Sequence, residues 1–205
     1  MENTTPGLLI VISAPSGAGK TTICKSLRNA FPDLRFSVSC TTRPPRKSER
    51  DGEDYHFISV HNFKSRIEKG EFLEWEEIYG HCYGTSIHDV EDPIRRGYDI
   101  ILDIDTKGAT NVKAKYPGGV FVFVMPPSIE ILKERLRNRG SETDAVLQMR
   151  FARAMEEIRE NEWYDYVIFN DIIENSVEIM KSIYVAEKNR RSRQHARIDN
   201  FYHLE

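Results

Sequence analysis

The segment that most constrains the fold is a glycine-rich turn between an apolar run and a helical pattern. The apolar run at residues 8–12 is predicted to be a strand buried on both faces of a sheet. The turn contains Gly17 and Gly19, and a helix is predicted over Lys20–Ala30, ending near Pro32. A strand, such a turn and a helix in this order predict a loop whose backbone N–H groups bind an anion at the helix N-terminus.

The residue types in this turn favour a nucleotide phosphate as the anion. Gly17 and Gly19 let the backbone wrap closely, because no Cβ intrudes and positive φ is allowed. Lys20 would supply a cation to the β- and γ-phosphates, and the Thr21 hydroxyl could ligate Mg²⁺. Ala14 stands where the strict P-loop pattern has its first glycine, so that pattern is missed by one residue. The candidate nucleotide-binding residues are Ala14, Pro15, Ser16, Gly17, Ala18, Gly19, Lys20, Thr21 and Thr22.

A P-loop by itself indicates only chemistry on a nucleoside triphosphate. Residues 105–108 match the DxxG segment of Ras-like GTPases, but the Asn-Lys-x-Asp segment that binds guanine in those proteins does not occur in the chain. The GTPase alternative is therefore weakened. An ordinary surface turn is the other alternative, and the flanking strand and helix disfavour it.

Composition and length exclude several other classes of protein. The 205 residues, 40% apolar and 30% charged, can bury a sizeable core as one domain with an insertion. With 29 basic against 32 acidic residues, a uniformly basic surface for nucleic acid is not expected. The longest apolar runs are far shorter than the roughly 20 residues that span a bilayer, and no signal peptide is visible. Three cysteines without CxxC spacing argue against disulfides or zinc, so we expect a cytoplasmic protein.

Short apolar runs alternate along the chain with longer stretches of period 3.6, which is typical of a parallel α/β domain. Besides residues 8–12, strands are predicted at 100–102, 120–125 and 166–169, and further helices at 87–96, 106–115, 128–139, 143–161 and 174–191. We therefore predict a P-loop core with a parallel sheet and helices on both faces. The polar, basic residues after Lys188 are predicted to be an exposed helix end.

Residues 39–88 break this alternation and are predicted to form a compact β-rich insertion. The core would then consist of residues 1–38 and 89–205. In the insertion, Arg43 and Arg46 lie three apart in a proline-stiffened loop, and Tyr55 and Tyr83 follow. Two guanidinium groups and phenolic hydroxyls suit a phosphate monoester. A solvated basic loop is the alternative interpretation of the arginines.

A second group of arginines lies on predicted helices near the C-terminal third of the chain. Arg135 and Arg139 are four residues apart and share a helix face, and Arg150 and Arg153 follow on the next helix. From the residues alone, a solvated basic helix face is the favoured interpretation of this pattern, and a phosphate site is the alternative.

Several segments, in order, resemble guanylate kinase. The similarity runs from about residue 8 to residue 188 and is far more specific than the P-loop alone. The segments are residues 39–46 (SCTTRPPR), 52–55 (GEDY), 72–75 (FLEW), 83–85 (YGT), 101–105 (ILDID), 126–128 (PPS), 135–140 (RLRNRG) and 167–171 (VIFND). The departures are modest: Cys82 and Thr85 replace the frequent Tyr and the common Ser, and Ile172 stands where a second acid is frequent.

The resemblance implies that the insertion binds GMP and that residues of about 135–155 form a helical lid. The implied GMP-binding residues are Ser39, Arg43, Arg46, Tyr55, Glu74, Tyr83, Thr85, Asp103 and Asp105, the last two near the acceptor or its waters. The P-loop would bind ATP, with Asn170 near the adenine, and the implied catalytic residues are Lys20, Arg43, Arg135, Arg139 and Arg150. The implied reaction is ATP-dependent phosphorylation of GMP, and of dGMP, to the diphosphate in purine nucleotide metabolism, with Mg²⁺ and with no nucleic acid or membrane partner.

The chemistry of guanine agrees with the implied base site. Guanine presents its N1–H and N2–H₂ donors side by side, and one carboxylate such as Glu74 can accept both. Adenine has an acceptor at N1, which would leave the carboxylate facing a lone pair. Hydroxyls of Ser39 and Thr85 can donate to O6, where adenine carries an amine. A buried polar site rejects such a mismatch strongly, because its own groups lose their partners.

Two alternatives to a GMP kinase stay open. The first is a non-enzymatic guanylate-kinase-like module that binds phosphorylated peptides, which the intact Gly17–Thr21 segment disfavours. The second is a P-loop kinase for another nucleotide, such as dTMP or UMP, which the base pocket of Glu74, Ser39 and Thr85 disfavours. The oligomeric state is left open.

Overall fold

The computed structural model of the chain describes residues 5–138 and 144–202. The strands are β1 (Leu9–Ser13), β2 (Arg35–Phe36), β3 (Cys40–Thr41), β4 (His56–Phe57), β5 (Phe72–Ile78), β6 (His81–Ser86), β7 (Ile100–Asp103), β8 (Val120–Met125) and β9 (Tyr166–Phe169). The α-helices are α1 (Lys20–Ala30), α2 (Val60–Glu68), α3 (Ile87–Arg95), α4 (Thr106–Lys115), α5 (Ile129–Arg137), α6 (Asp144–Arg159), α7 (Ile173–Lys188) and α8 (His195–Tyr202). Short 3₁₀ turns lie at Glu160–Trp163 and Arg191–Arg193.

The core of the molecule is a five-stranded parallel sheet in the order β2-β7-β1-β8-β9. The central strand β1 is buried along its whole length, and Val11 pairs with Leu102 on one side and Phe121 on the other. Because the carboxyl ends of parallel strands lie at one edge, the residues that follow β1 and β7 meet there. The P-loop and Asp103 are therefore neighbours.

Helices cover both faces of this sheet, which confirms the predicted α/β class. On one face, Ile10 and Ile12 pack with Leu27 of α1 and Met180 of α7. On the other, residues of α3 and α4 pack against the alternate side chains of β1, including Val11. Full burial of each large aliphatic side chain contributes about 1.5–3 kcal/mol. Two such layers hold β1, and with it the start of the P-loop, rigidly.

The segment between β2 and α3 forms a second, four-stranded sheet in the order β4-β3-β6-β5. Strands β5 and β6 form an antiparallel hairpin that turns at Tyr79 and Gly80, which have φ of 52° and 77°. Helix α2 packs on this sheet through Phe63, whose ring stacks on Phe72 at 4.5 Å between centroids. Pairing across the hairpin sets Glu74 opposite Thr85.

Several details differ from the sequence-based prediction. Helix α2 was not predicted: Val60, Phe63 and Ile67 recur at helical spacing, but they lie in a segment that was interpreted as β-rich. The two-residue strand β2 was missed because it is too short to show alternation. The helix predicted to run on to residue 191 ends at Lys188, and a 3₁₀ turn and the separate helix α8 follow it. In the described parts of the chain, no helix is both long enough and apolar enough to cross a membrane.

Candidate active site

A cleft of about 550 Å³ opens between the carboxyl edge of the core sheet, the hairpin β5–β6 and helix α6. It is lined by most of the predicted site residues: Ala14, Pro15, Ser16, Gly17, Gly19, Lys20, Thr21, Ser39, Arg46, Tyr55, Glu74, Tyr83, Asp103, Asp105 and Arg150. Arg43 and Thr85 lie one layer behind, and each is hydrogen-bonded to a lining residue, Tyr83 and Glu74 respectively. Arg139 lies outside the described residues.

The P-loop wraps around the N-terminus of α1 as its glycines predicted. Gly17 and Gly19 both have φ of +94°, and the Ala18 N–H donates to the Pro15 carbonyl at 3.1 Å. Helix α1 begins at Lys20, with Gly19 as its N-cap. The arrangement leaves the first-turn N–H groups and the positive end of the helix dipole facing the cleft, as an anion site requires.

Asn170 supports this loop from behind. Its Nδ2 donates to the Ala18 carbonyl at 2.6 Å, and the residue is 3% exposed. A Cβ on Gly19 would lie 2.3 Å from the same Nδ2, so this close approach requires glycine. Asn170 does not line the cleft, although the resemblance placed it near the adenine.

Lys20 is held between β7 and the residue that follows it. Its Nζ lies 2.6 Å from Asp103 Oδ1 and donates to the Ile104 carbonyl at 2.8 Å. Burial lowers the pKa of Lys20, but the Asp103 carboxylate outweighs burial and the pKa is raised. The ammonium is therefore charged at neutral pH.

At the insertion end of the cleft, the guanidinium of Arg43 is hydrogen-bonded to two neighbouring side chains, Tyr83 and Glu49. Its Nε donates to the Tyr83 hydroxyl at 3.2 Å, and its Nη1 and Nη2 donate to the two oxygens of Glu49, both at 2.9 Å. Glu49 also accepts from the Arg46 backbone N–H at 2.7 Å. The ring of Tyr55 lies 6.0 Å from that of Tyr83.

Glu49 was missed in the sequence because it lies among cations, in a run that resembles a solvated basic loop. Its side chain is only 13% exposed, whereas the side chain of Arg46 is 74% exposed. Burial raises the pKa of Glu49, but the hydrogen bonds from Arg43 outweigh burial and the pKa is lowered. Glu49 is an anion that orders the loop around Arg43.

The predicted base-reading residues lie together at the β5–β6 pairing. The Thr85 hydroxyl donates to Glu74 Oε1 at 2.5 Å and lies 3.4 Å from the Ser39 hydroxyl. Burial raises the pKa of Glu74 to about 7, against the lowering effect of the Thr85 hydrogen bond. A Cβ on Gly108 of α4 would lie 2.7 Å from Glu74 Oε2, so a glycine lets the core approach this carboxylate.

Asp105 joins the base pocket to the core. Its Oδ1 accepts from the Gly108 N–H at 2.8 Å and caps α4. Burial raises the pKa of Asp105, but a hydrogen bond with Glu76 outweighs burial and the pKa is lowered. The DxxG segment at residues 105–108 is thus a helix cap beside Glu74.

The two helices of the predicted lid pack together through Leu132, Leu136 and Ala154. Arg150 of α6 donates from Nη2 to the Ser16 hydroxyl of the P-loop at 2.9 Å. Arg135 of α5 donates to the Asn170 carbonyl at 3.1 Å and does not line the cleft. The structure therefore brings Arg150, but not Arg135, to the cleft.

Comparisons with known proteins decide the family. The family model described as guanylate kinase matches residues 7–187. Guanylate kinase of Geobacter metallireducens is 53% identical over 91% of this chain and 92% of that protein, and that of Geobacter sulfurreducens is 49% identical over the same shares. The chain belongs to the guanylate kinase family. A crystal structure of guanylate kinase from Anaplasma phagocytophilum, 32% identical, superposes with a TM-score of 0.76 over 93% of this chain and 90% of that one.

The side chains that could bind a metal in this guanylate kinase family member suit an ion that is held mainly by nucleotide phosphates. The Thr21 hydroxyl is exposed in the first turn of α1 and lines the cleft. Within the part of the chain that the structure describes, no group of three or more His, Cys, Asp or Glu side chains could hold a metal. Mg²⁺ keeps several waters and uses one or two protein groups besides substrate phosphates, so the residues fit it.

Proposed function

We propose that this protein transfers the γ-phosphoryl group of ATP to GMP, and to dGMP, giving ADP and the nucleoside diphosphate. The observation that carries the proposal is a buried carboxylate and two hydroxyls, Glu74, Thr85 and Ser39, in the same cleft as a P-loop. A P-loop serves many reactions, whereas this set of groups matches guanine. Phosphorylation of GMP belongs to purine nucleotide metabolism, and the free cysteines Cys24, Cys40 and Cys82 suit the cytoplasm.

We assign the donor site to the core, residues 1–38 and 89–205, and the acceptor site to the insertion, residues 39–88. The lid spans about 135–155. Support for this division comes from the two separate sheets, one carrying the P-loop and the other carrying Glu74 and Tyr83. The cleft between the sheets is where the two nucleotides would meet.

At the donor site, the P-loop N–H groups would bind the ATP phosphates and Lys20 would leave Asp103 for the β- and γ-phosphates. Thr21 would hold Mg²⁺ through its hydroxyl, and the bound ion would supply positive charge to the donor phosphates. Asn170 keeps the loop in shape through its bond to the Ala18 carbonyl.

At the acceptor site, the GMP phosphate would lie against Arg46, Tyr55 and Tyr83 and reach Arg43. Glu49 and Tyr83 already orient the Arg43 guanidinium, which lowers the entropy cost of ordering this side chain when phosphate binds. Glu74 would accept N1–H and N2–H from guanine. Ser39 would donate to O6, and Thr85 would do so after its hydroxyl turns away from Glu74. Asp103 and Asp105 would lie near the acceptor or its waters.

The transfer step needs positioning and charge rather than a protein base. The GMP phosphate oxygen is already an anion and can attack the γ-phosphorus directly. Arg135, Arg139 and Arg150 would join Lys20 and Arg43 around the transferring group when the lid closes, and stabilise the charge spread over its oxygens. Closure would also expel water and limit wasteful hydrolysis of ATP.

The experiment that tests the function is a coupled ADP-release assay with GMP, dGMP, AMP, UMP and dTMP as acceptors. We expect rapid turnover with GMP and dGMP and little with the others. Preference for UMP or dTMP would contradict the base-pocket assignment. A protein that binds GMP but releases no ADP with any acceptor would be the non-enzymatic binding module.

A further inference from the structure

Glu76 lies two residues from the base-reading Glu74 on β5. Because side chains alternate along a strand, the two carboxylates share a face, and both line the cleft. The Oε1 atom of Glu76 lies 3.2 Å from Lys107 Nζ and 3.5 Å from Arg153 Nη2. Its Oε2 atom is buried and receives no hydrogen bond from an N–H or hydroxyl group in the described part of the chain. The Glu76 carboxyl shares a hydrogen bond with the Asp105 carboxyl when one of the two is protonated. Neither Glu76 nor Arg153 has a role in the function proposed above.

Arg153 of α6 contacts all three parts of the molecule. Its Nη2 lies 3.5 Å from Glu76 of the insertion and 3.6 Å from Asp105 Oδ2 of the core. Its Nε donates to Glu157 of its own helix at 3.1 Å, and its guanidinium lies 5.6 Å from the centre of the Tyr79 ring at the hairpin turn. One guanidinium thus stands between two carboxylates that the insertion and the core bring together.

The guanidinium of Arg153 contacts both Glu76 and Asp105. The side chains of Arg153, Glu76 and Asp105 are 26%, 16% and 19% exposed, so water screens them poorly. Without the guanidinium, Glu76 would keep the exposed Lys107 as its counter-ion, and the ionised forms of Glu76 and Asp105 would repel each other across the junction of insertion and core. The pKa of Glu76, raised to about 7 by burial and by Asp105, reflects the same crowding of acids.

Helix α6 therefore contacts residues at both ends of the cleft. Arg150 contacts Ser16 in the P-loop, and Arg153, one turn later, contacts Glu76 beside the base pocket. We propose that Arg153 is a positioning residue of the acceptor site: it neutralises Glu76 and Asp105 and so holds β5, with Glu74, in the position that binds GMP. This proposal rests on the assignment of the cleft to GMP.

The test is a double-mutant cycle on the full chain, with KM for GMP and kcat measured at saturating ATP. We expect R153M to raise the GMP KM about three- to tenfold and to leave kcat within about twofold, because Arg153 touches no reacting group. E76Q alone should leave the KM within about twofold of wild type, since it removes the repulsion together with the ion pair. The double variant R153M/E76Q should recover most of the lost affinity.

Matched controls are R159M, an exposed arginine at the end of α6, and E77Q, the exposed neighbour of Glu76 on β5; both should behave as wild type. If R153M fails to fold, R153K keeps the positive charge but lacks the planar guanidinium that contacts both carboxylates. It should give an intermediate GMP KM, which E76Q should again lower. The proposal is overturned if R153M lowers kcat without rescue by E76Q, which would make Arg153 a phosphate ligand, or if R153M and R153K both leave the KM unchanged. Failure of the proposed function itself would show separately, as a wild-type protein that does not phosphorylate GMP.

Discussion

At the start of α1, Lys20 carries the one charge that the P-loop itself contributes to the donor site. We predict that Lys20→Ala lowers kcat at least about a hundredfold, because the transferring phosphoryl loses a cation placed in advance. The measurement is steady-state ADP release with saturating ATP and GMP. The matched control is Lys25→Ala on the same helix, whose side chain is 64% exposed and which should keep its activity. Wild-type turnover by Lys20→Ala would refute the donor assignment.

Glu74 is the residue on which acceptor selectivity depends. We predict that Glu74→Gln raises the GMP KM about ten- to a hundredfold, because the amide can accept only one of the two guanine N–H donors and presents its own N–H₂ to the other. The ratio of kcat/KM for GMP to that for AMP should fall with it. Unchanged discrimination between GMP and AMP would remove Glu74 from the base site.

The raised pKa of Glu74 also predicts a pH dependence of acceptor binding. Guanine needs the ionised carboxylate, so GMP affinity should fall as the pH drops from 8 to 6, through the pKa of about 7. The phosphate of GMP also takes up a proton, with a pKa of about 6. Glu74→Gln is therefore the control, because it retains the phosphate titration and the Glu76 titration and loses the Glu74 contribution. Identical pH profiles for both proteins would contradict this role.

At the residue scale, the sequence allowed the chemistry of single positions to be predicted but not their partners. Gly17 and Gly19 were predicted to let the backbone wrap closely because glycine allows positive φ, and both have positive φ in the structure. The bond between Arg43 and Glu49 could not be predicted, because a carboxylate in a basic run gives no signal of burial. The same holds for Arg153 and Glu76, which are 77 residues apart in sequence.

Asn170, the residue that follows strand β9, supports the P-loop through its hydrogen bond to the Ala18 carbonyl. We predict that Asn170→Ala raises the ATP KM about three- to tenfold and leaves the GMP KM nearly unchanged, because the Ala18 carbonyl loses its buried donor and the loop loosens. Separate titrations of ATP and GMP measure the two constants. Asn29→Ala, at an exposed position of α1, is the control. An equal rise in both constants would indicate general destabilisation instead.

At the element scale, prediction succeeded where an element is long and buried and failed where it is short or half-exposed. The predicted bounds of α1, α4, β8 and β9 agree with the structure; α1 has a clear apolar face, and β8 is a continuous apolar run. Helix α2 was missed although its apolar residues recur at helical spacing, because it lies in a segment interpreted as β-rich; its packing of Phe63 on Phe72 is a contact that the sequence does not show. Tertiary contacts therefore decide the small sheet of the insertion.

For the molecule as a whole, Asp99 connects the first strand to the last long helix. Its Oδ1 accepts from the Leu8 N–H at 2.7 Å, and its Oδ2 accepts from the Tyr184 hydroxyl at 2.7 Å and from Lys188 Nζ at 2.8 Å. Burial raises the pKa of Asp99, but these bonds, led by that from Lys188, outweigh burial and the pKa is lowered. A lowered pKa means that the ionised group stabilises the fold.

We predict that Asp99→Asn lowers the free energy of unfolding by about 1–3 kcal/mol at pH 7. The difference from wild type should persist above the unfolded-state pKa of about 4 and vanish as the pH falls through the lower pKa of the folded state. Urea unfolding at several pH values measures it, with the exposed Asp33→Asn as the control. A difference that grows on acidification would contradict the assignment.

Two cations that are assigned to the nucleotide phosphates are already matched to carboxylates: Lys20 to Asp103 and Arg43 to Glu49. A lone sulfate or inorganic phosphate would have to compete with these internal anions and would bring no base or sugar contacts in compensation. We therefore expect the cleft to discriminate against small stray anions, which are abundant in cells, although each of its cations alone would attract them. A whole nucleotide can displace the carboxylates because its other end binds at the same time.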